Sequence, residues 1–305
     1  VPIKDLSDLP AGFPERKHFP PVAQPIFAQA LLEAWGQVYV PEDDKPHAAP
    51  SRIRHSDAGR CARFLGYRLT DAEVSNPLTV ADYYRFWIGQ LVHTEMQEIA
   101  AKKWPGCEIE FITVNPVTDA HGLAISSGHG DLLIVLKDRD GRRYALEIKT
   151  LNGFGFQKAI GFRGDAEGPR SSALIQGALN AHLHDADVLV LLVLSIDCIA
   201  AGQATKAGFA PWQRFMAEWH YERNQFQPIA EQELARFEAI VTKTDTIGLP
   251  ARSIPSLPAG ALITNPAKGR WTVEQDGRIF SNGSTWECDY CPFQLSCTED
   301  ADNGV

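Results

Sequence analysis

SGHGDLLIVLKDRDGRRYALEIKT, residues 127–150, is the stretch around which the rest of the chain is read. Its apolar run 132–136 and the segment 144–148 flank Asp138-Arg139-Asp140-Gly141, the composition of a hairpin turn. A three-residue loop Arg139-Asp140-Gly141, with the glycine left-handed, puts Asp138 opposite Arg142. Counting back along both strands sets Asp131 opposite Lys149, with Glu147 diagonal to that pair on the same face. Two carboxylates and an ammonium thus converge at the open end of a largely apolar hairpin, within reach of one shared ligand.

The flanking segments supply the rest of a sheet and its cover. A strand is expected over Glu108–Val114 and, before it, a helix over residues 80–104 stopped by Pro105-Gly106. In that helix Gly89 stands one turn ahead of His93. A helical glycine costs stability and makes sense where another backbone or a ligand comes close. After Thr150 a loop rich in glycine and basic residues carries Lys158, Arg163 and Arg170. It leads to a helix capped by Ser171-Ser172 and containing Leu174, Ile175, Gln176 and Leu179. Residues 188–196 are apolar on both faces, as a buried strand requires. Strand, hairpin, helix, strand is the order of an α/β fold with a central mixed β-sheet flanked by helices. Further out, Ser56-Asp57 is expected to cap a helix running through Cys61 to about Tyr67. A later helix is expected over residues 229–243, then a proline-rich linker at 250–258 and a small hairpin over 271–280 turned at Asp276-Gly277.

A chain of 305 residues, 44% apolar, has room for one large domain or two modest ones. Residues 1–50 hold nine prolines and read as an arm with one short helix near residues 26–37. The domain proper is placed at 51–300, with a core at 80–200 and an insertion at about 250–285. No apolar run is long enough to span a bilayer, and no charged-then-apolar leader opens the sequence. With six cysteines in a chain too long to need disulfide staples, a reducing, cytoplasmic setting is expected. The net charge of −9 argues against a protein that coats nucleic acid, but not against a local basic groove. Arg52, Arg54, Arg60, Arg63 and Arg68 face a single nearby acid, Asp57, and form either such a groove or a solvated surface.

Asp131 and Glu147 are hard oxygen ligands suited to magnesium or manganese. Lys149 beside such an ion would orient or deprotonate a water and offset charge developing on a phosphate. Taken alone, Glu-x-Lys is also an ordinary surface pair on a strand. His93 is either a nitrogen ligand completing that site or a histidine packed on an apolar face. Gln176 is either a boundary residue or an amide that contacts substrate. Cys288-x2-Cys291-x5-Cys297 places three thiolates within ten residues and calls for a metal with a fourth ligand, best supplied by Cys61. Spacing alone makes that metal zinc. Cys107 and Cys198 read as buried thiols.

Together these residues resemble the RecB-like nucleases of the PD-(D/E)XK superfamily, and more closely the iron–sulfur subgroup. That subgroup includes CRISPR adaptation nucleases, AddB-type nucleases and phage exonucleases. Gly89 to His93 matches Gly-x-x-x-His, Gly128-His129-Gly130-Asp131 matches Gly-x-x-Asp, Glu147-Ile148-Lys149 matches Glu-x-Lys, and Gln176 matches a downstream glutamine motif. The resemblance implies a restriction-endonuclease-like core. It implies Mg2+ or Mn2+ on His93, Asp131, Glu147 and the carbonyl of Ile148, with Lys149 catalytic. It also turns the cysteines from zinc to a [4Fe–4S] cluster on Cys61, Cys288, Cys291 and Cys297, a clasp joining the N- and C-terminal parts. DNA with free ends or single strands is the implied substrate, gripped by Arg60, Arg63, Lys158, Arg163 and Arg170. A recombination or CRISPR adaptation protein is an implied partner. Three departures stand out: Gly130 replaces the proline of the superfamily name, Asn180 stands four residues after Gln176 where a tyrosine is usual, and the insertion is long. The reading from another class is a non-catalytic nucleic-acid- or partner-binding protein with a zinc-stabilised C-terminal end.

Overall fold

The computed structural model describes residues 50–297 apart from 78, 137–140, 163, 165, 251–261, 266–269, 276–277, 282–290 and 294–295. The expected arm helix, the linker at 251–258, Arg163 and Cys288 therefore lie outside the described residues.

The run VLVLLVLS forms β5 (Val188–Ser195), seven of whose eight residues are buried. Side chains apolar on both faces need cover on both faces, so this strand lies inside the sheet rather than at its edge. β4 (Arg142–Leu151) runs parallel to it and β6 (Met216–Glu222) antiparallel. On the far side of β4 lies β3 (Ala124–Leu136), antiparallel, and β3 also pairs with β2 (Glu108–Val114) and with β1 (Ser51–Arg54). The result is a six-stranded mixed sheet.

One face is covered by α1 (Ala62–Leu69), α4 (Ser171–Leu183) and α6 (Arg223–Thr246), which share a buried cluster with the sheet. Phe226 and Phe237 of α6 are fully buried there, each contributing roughly 2–3 kcal/mol of transfer free energy. The other face carries α2 (Val80–Lys103), whose Val92, Met96 and Ala100 pack on Leu132, Ile148, Leu192 and Leu194. The start of α2 is fixed by a capping box: Asp82 N–H donates to Thr79 Oγ1 while Thr79 N–H donates to Asp82 Oδ2. Two short helices, α3 (Gly153–Ala159) and α5 (Ala201–Lys206), close the end of the sheet around Phe156, Val193 and Ile199. A separate three-stranded sheet, β7 (Leu262–Asn265), β8 (Arg270–Gln275) and β9 (Arg278–Ser281), lies within the insertion. Its β8–β9 hairpin is the one expected there. Among the described residues no helix is long and apolar enough to cross a membrane.

Several expected boundaries are corrected. Ser56-Asp57 does not cap a helix. His55–Asp57 forms a 3-10 turn in which the Asp57 carboxylate is bound by Arg68 at 3.1 Å, and α1 starts only at Ala62. Ser171 and Ser172 are the first helical residues of α4, not its cap. α6 starts at Arg223, six residues earlier than expected, and contains Pro228 in its second turn, where the missing N–H forfeits one helical bond. Cys198 is exposed rather than buried.

Candidate active site

Strand pairing opens a gap at the middle of β3. Ser127 pairs with both Arg54 of β1 and Val114 of β2, whereas Leu132 pairs with both Ile109 of β2 and Leu146 of β4. A strand has only two edges, so β1 and β4 lie along the same edge of β3, one at each half. Residues 128–131 are left between them with β2 on the other side alone. Two glycines make the gap habitable. A Cβ on Gly128 would lie 2.5 Å from the His55 Cβ, and one on Gly130 only 2.0 Å from the Phe111 ring.

The β3–β4 register corrects the hairpin expected from sequence. Leu136 pairs with Arg142 and Leu132 with Leu146, so the connection spans residues 137–141 and the register differs by two. Gly141 is left-handed, φ +71°, as expected. A slip of two keeps every side chain on its face, so Asp131, Glu147 and Lys149 still converge. Extending this register sets Asp131 opposite Glu147 rather than Lys149. The ladder itself stops at Leu132, and beyond it the Asp131 carboxylate accepts the Ile148 N–H at 2.5 Å.

Four side chains meet at this opening. His93 reaches from α2 to within 3.3 Å of Asp131, Nδ1 to Oδ1. The α2 backbone passes so near the end of β4 that a Cβ on Gly89 would touch Thr150 Oγ1 at 3.4 Å. The close approach inferred for this glycine is thus to the strand. Lys149 Nζ donates to Glu147 Oε1 at 2.5 Å. The Glu147 side chain is 1% exposed and Lys149 29%, so the glutamate is the floor of the site and the lysine its rim. Among the described residues no group of three histidine, cysteine or carboxylate side chains stands ready to hold a metal ion. Oxygens of Asp131 and Glu147 are engaged by the Ile148 N–H and Lys149.

Burial sets the electrostatics. It pushes the Glu147 carboxyl up to about 7, with the Asp131 charge adding to the rise and Lys149 and Asn180 opposing it. Burial also acts upward on Asp131. There the His93 hydrogen bond, the Lys149 and His93 charges and the Ile148 N–H outweigh it and hold the group below the usual range. For Lys149 burial acts downward, yet the Glu147 and Asp131 carboxylates outweigh it and raise the ammonium. In this state Lys149 is therefore a fixed cation rather than a base.

Sequence reasoning missed the group that holds Glu147. Asn180, noticed only as the occupant of a tyrosine position, donates from Nδ2 to Glu147 Oε2 at 3.2 Å and to the His129 carbonyl at 2.9 Å. Its α4 backbone gets this close because a Cβ on Gly177 would already stand 3.2 Å from the Glu147 Cβ. Oδ1 of Asn180 accepts from Thr113 Oγ1 and pairs with His55 Nδ1, at 2.9 and 2.8 Å. Burial lowers His55 to about 4, so the ring is neutral. The only sequence signal for Asn180 was its spacing, one helical turn after Gln176. Gln176 itself is half-buried on the same helix, its side chain making no hydrogen bond among the described residues.

Several of the basic residues are engaged within the chain. Arg52 pairs with Asp119 and Asp245, Arg68 with Asp57, and Lys158 with Glu167. Arg63 is 2% exposed and donates to Tyr67 Oη and the Pro250 carbonyl, which withdraws it from any phosphate. Arg60 is half-buried with its guanidinium 5.1 Å over the Phe64 ring. Arg170 is exposed beside the first turn of α4. Cys61 stands at the start of α1, and Cys291 and Cys297 pack against the same buried cluster as Cys61. Between them Phe293 lies 5.2 Å from the Tyr67 ring, and the Pro292 carbonyl accepts the Asn76 N–H at 2.8 Å.

No protein-family model matches the chain, and no curated protein matches it in sequence. Among solved structures it is similar to the crystal structure of SSO0001, at 16% identity over 89% of this chain and 95% of that one, with a TM-score of 0.47. It is also similar to an alkaline exonuclease (LHK-Exo) from Laribacter hongkongensis, at 14% identity over 63% of this chain and 91% of that one, with a TM-score of 0.37. Likeness at this level is no guide to chemistry, which rests on the residues themselves.

Proposed function

We propose that the opening between β3 and β4 hydrolyses phosphodiester bonds with the help of Mg2+ or Mn2+, and that the chain is a deoxyribonuclease acting on DNA ends or single strands. The observation that carries this reading is the pair of carboxylates at the splayed ladder, one buried and one at the mouth, with His93 and Lys149 on the solvent side. A buried carboxylate raised to about 7 gains most from a nearby divalent cation, and an oxygen-and-imidazole donor set suits magnesium or manganese. His93, Asp131, Glu147 and the Ile148 carbonyl would hold the ion. When bound, it supplies Lewis acidity toward phosphate and water.

The protein's own groups do the rest. Asp131 stays ionised at the mouth, with one oxygen fixed by Ile148 N–H. Lys149, kept protonated, orients water and offsets negative charge growing on the phosphate oxygens. A lysine held charged in this way stabilises rather than deprotonates. Binding of a cation would displace it from Glu147 toward the substrate.

A [4Fe–4S] cluster on Cys61, Cys288, Cys291 and Cys297 is part of the proposal, as a clasp. Its support is the seating of Cys61, Cys291 and Cys297 around one buried cluster and the docking of Phe293 on α1. Anaerobically purified protein should then be brown, with about four irons per chain. Stoichiometric zinc without iron would refute the cluster while leaving the hydrolytic site in place. The test of the function itself is a metal-supplemented assay on DNA strands labelled at either end. Cation-dependent shortening supports it and also reads the polarity. Binding without cleavage in Mg2+ and in Mn2+ would favour the non-catalytic reading instead.

A further inference from the structure

We infer that Asn180 and His55 are positioning residues for Glu147: Asn180 fixes the carboxylate, and His55 holds the acceptor end of the Asn180 amide on the side away from it. The inference rests on the metal-dependent reading of the site.

A side-chain amide has a donor end and an acceptor end, and either can be turned toward a neighbour. Around Asn180 only one orientation satisfies everything. With Nδ2 toward Glu147 Oε2 and the His129 carbonyl, both of its contacts are to acceptors. Turned over, Oδ1 would face those same two acceptors, and the amide nitrogen would face the Thr113 hydroxyl and His55. His55 is 0% exposed and Asn180 1%, so no water would relieve such a clash.

The His129 carbonyl and Glu147 set this choice, and His55 holds the far end of the amide. Its Nδ1 lies 2.8 Å from Asn180 Oδ1, an atom that only accepts, so Nδ1 carries the proton and Nε2 is left to accept from Ser126 Oγ at 3.3 Å. The ring is seated against Gly128, the glycine of the gap, where no Cβ fits. Thr113 Oγ1 backs the arrangement, 2.9 Å from Oδ1 and 3.1 Å from the Gly128 carbonyl. The chain Ser126, His55, Asn180, Glu147 therefore runs from β3 through the turn after β1 and α4 to the floor of the site on β4. It ties down Glu147 Oε2 and leaves Oε1 to Lys149 or to a cation.

The test measures Mn2+ binding by electron paramagnetic resonance on the full chain, above pH 7 and without DNA, so that no cleavage is needed. His55→Leu and Asn180→Ala are expected to weaken binding roughly tenfold or more, the usual effect of removing a group that orients a metal ligand. His55→Asn, whose amide presents an N–H close to the place of Nδ1, is expected to stay within about threefold of the parent. Circular dichroism and the thermal midpoint establish that each variant is folded. If His55→Leu does not fold, Asn180→Ala carries the test with the same expected loss. Parent-like binding in folded Asn180→Ala, or His55→Asn as weak as folded His55→Leu, overturns the inference alone. Mn2+ binding by the parent that is indifferent to Glu147→Gln overturns the metal reading, and this inference with it.

Discussion

The β3–β4 hairpin has two ends built on different principles. At the turn, the strands stay in register to Leu136 and Arg142, and Gly141 N–H donates to the Leu136 carbonyl at 3.2 Å. At the open end the ladder stops at Leu132, and side chains bind the backbone in place of a partner strand. Asp131 takes the Ile148 N–H and Asn180 the His129 carbonyl. Where backbone pairs with backbone, the side chains are free to be anything. Where it does not, polar groups must be buried to satisfy it, and that is where two carboxylates and a lysine are held together.

If that contrast is the basis of function, charge deletions at the open end have the largest effect. Asp131→Ala and Lys149→Ala should each lower cation-dependent DNA cleavage by about a thousandfold or more, since they remove groups that act on developing charge. Circular dichroism should be unchanged. Parent-like cleavage by either pure variant would detach the chemistry from this end of the hairpin.

The next effect is on stability in acid. His55 titrates at about 4 in the fold against 6.5 for the free side chain, so folding favours its neutral form. The stability this provides is complete above pH 6.5 and is lost as the pH falls through 4. Over that window the loss is about 3 kcal/mol. Urea unfolding of His55→Asn at a series of pH values should show an acid limb flatter by that amount. An unaltered limb would mean that the buried ring is not what the open end loses in acid. The Glu147 carboxyl has the opposite sign, being raised from 4.5 to about 7. Its stabilising effect is present below 4.5 and fades as the pH rises through 7. The same ionisation gates the cation: Mn2+ affinity should rise about tenfold per pH unit up to roughly 7 and then level off. A flat profile from pH 5.5 to 7 in isothermal titration would exclude Glu147 as the proton released.

How much of this the sequence carried differs by region for physical reasons. β5 was readable because an apolar run of seven has few other uses, and α2 because a breaker, Pro105-Gly106, follows it. β1 was not: Ile53 is its one buried apolar residue, set among arginines that looked like a surface patch. β6 does alternate, with Ala217, Trp219 and Tyr221 less exposed than Glu218, His220 and Glu222, but seven residues with one small and two aromatic apolar members are too short a pattern to fix a strand. In the site, Asp131, Glu147 and Lys149 could be grouped because a slip of two preserves the face, while the loop length that decides the register left no trace in composition. His55 and Asn180 are 125 positions apart and meet only through the fold. Each is a lone polar residue, and no local pattern could have paired them.

The smallest predicted effects separate space from conformation as reasons for glycine at the two ends. Gly130 has no left-handed backbone, and its need is room: a Cβ there would fall within the Phe111 ring, itself buried at 4% exposure. Gly130→Ala should therefore cost about 2–3 kcal/mol by overpacking. Part of that cost should disappear in a Phe111→Leu background, since contacting residues are not additive. Gly141 is the converse, with φ +71° and, among the described residues, nothing within 4 Å of the place a Cβ would take. Gly141→Ala should cost about 1 kcal/mol, all of it backbone strain, and Gly141→Asn less, because asparagine tolerates the left-handed region. Chemical denaturation of these variants decides between the two origins. Equal costs for Gly141→Ala and Gly141→Asn would make the turn a packing site like the open end. A Gly130→Ala cost untouched by Phe111→Leu would take away the steric reason for glycine beside Asp131.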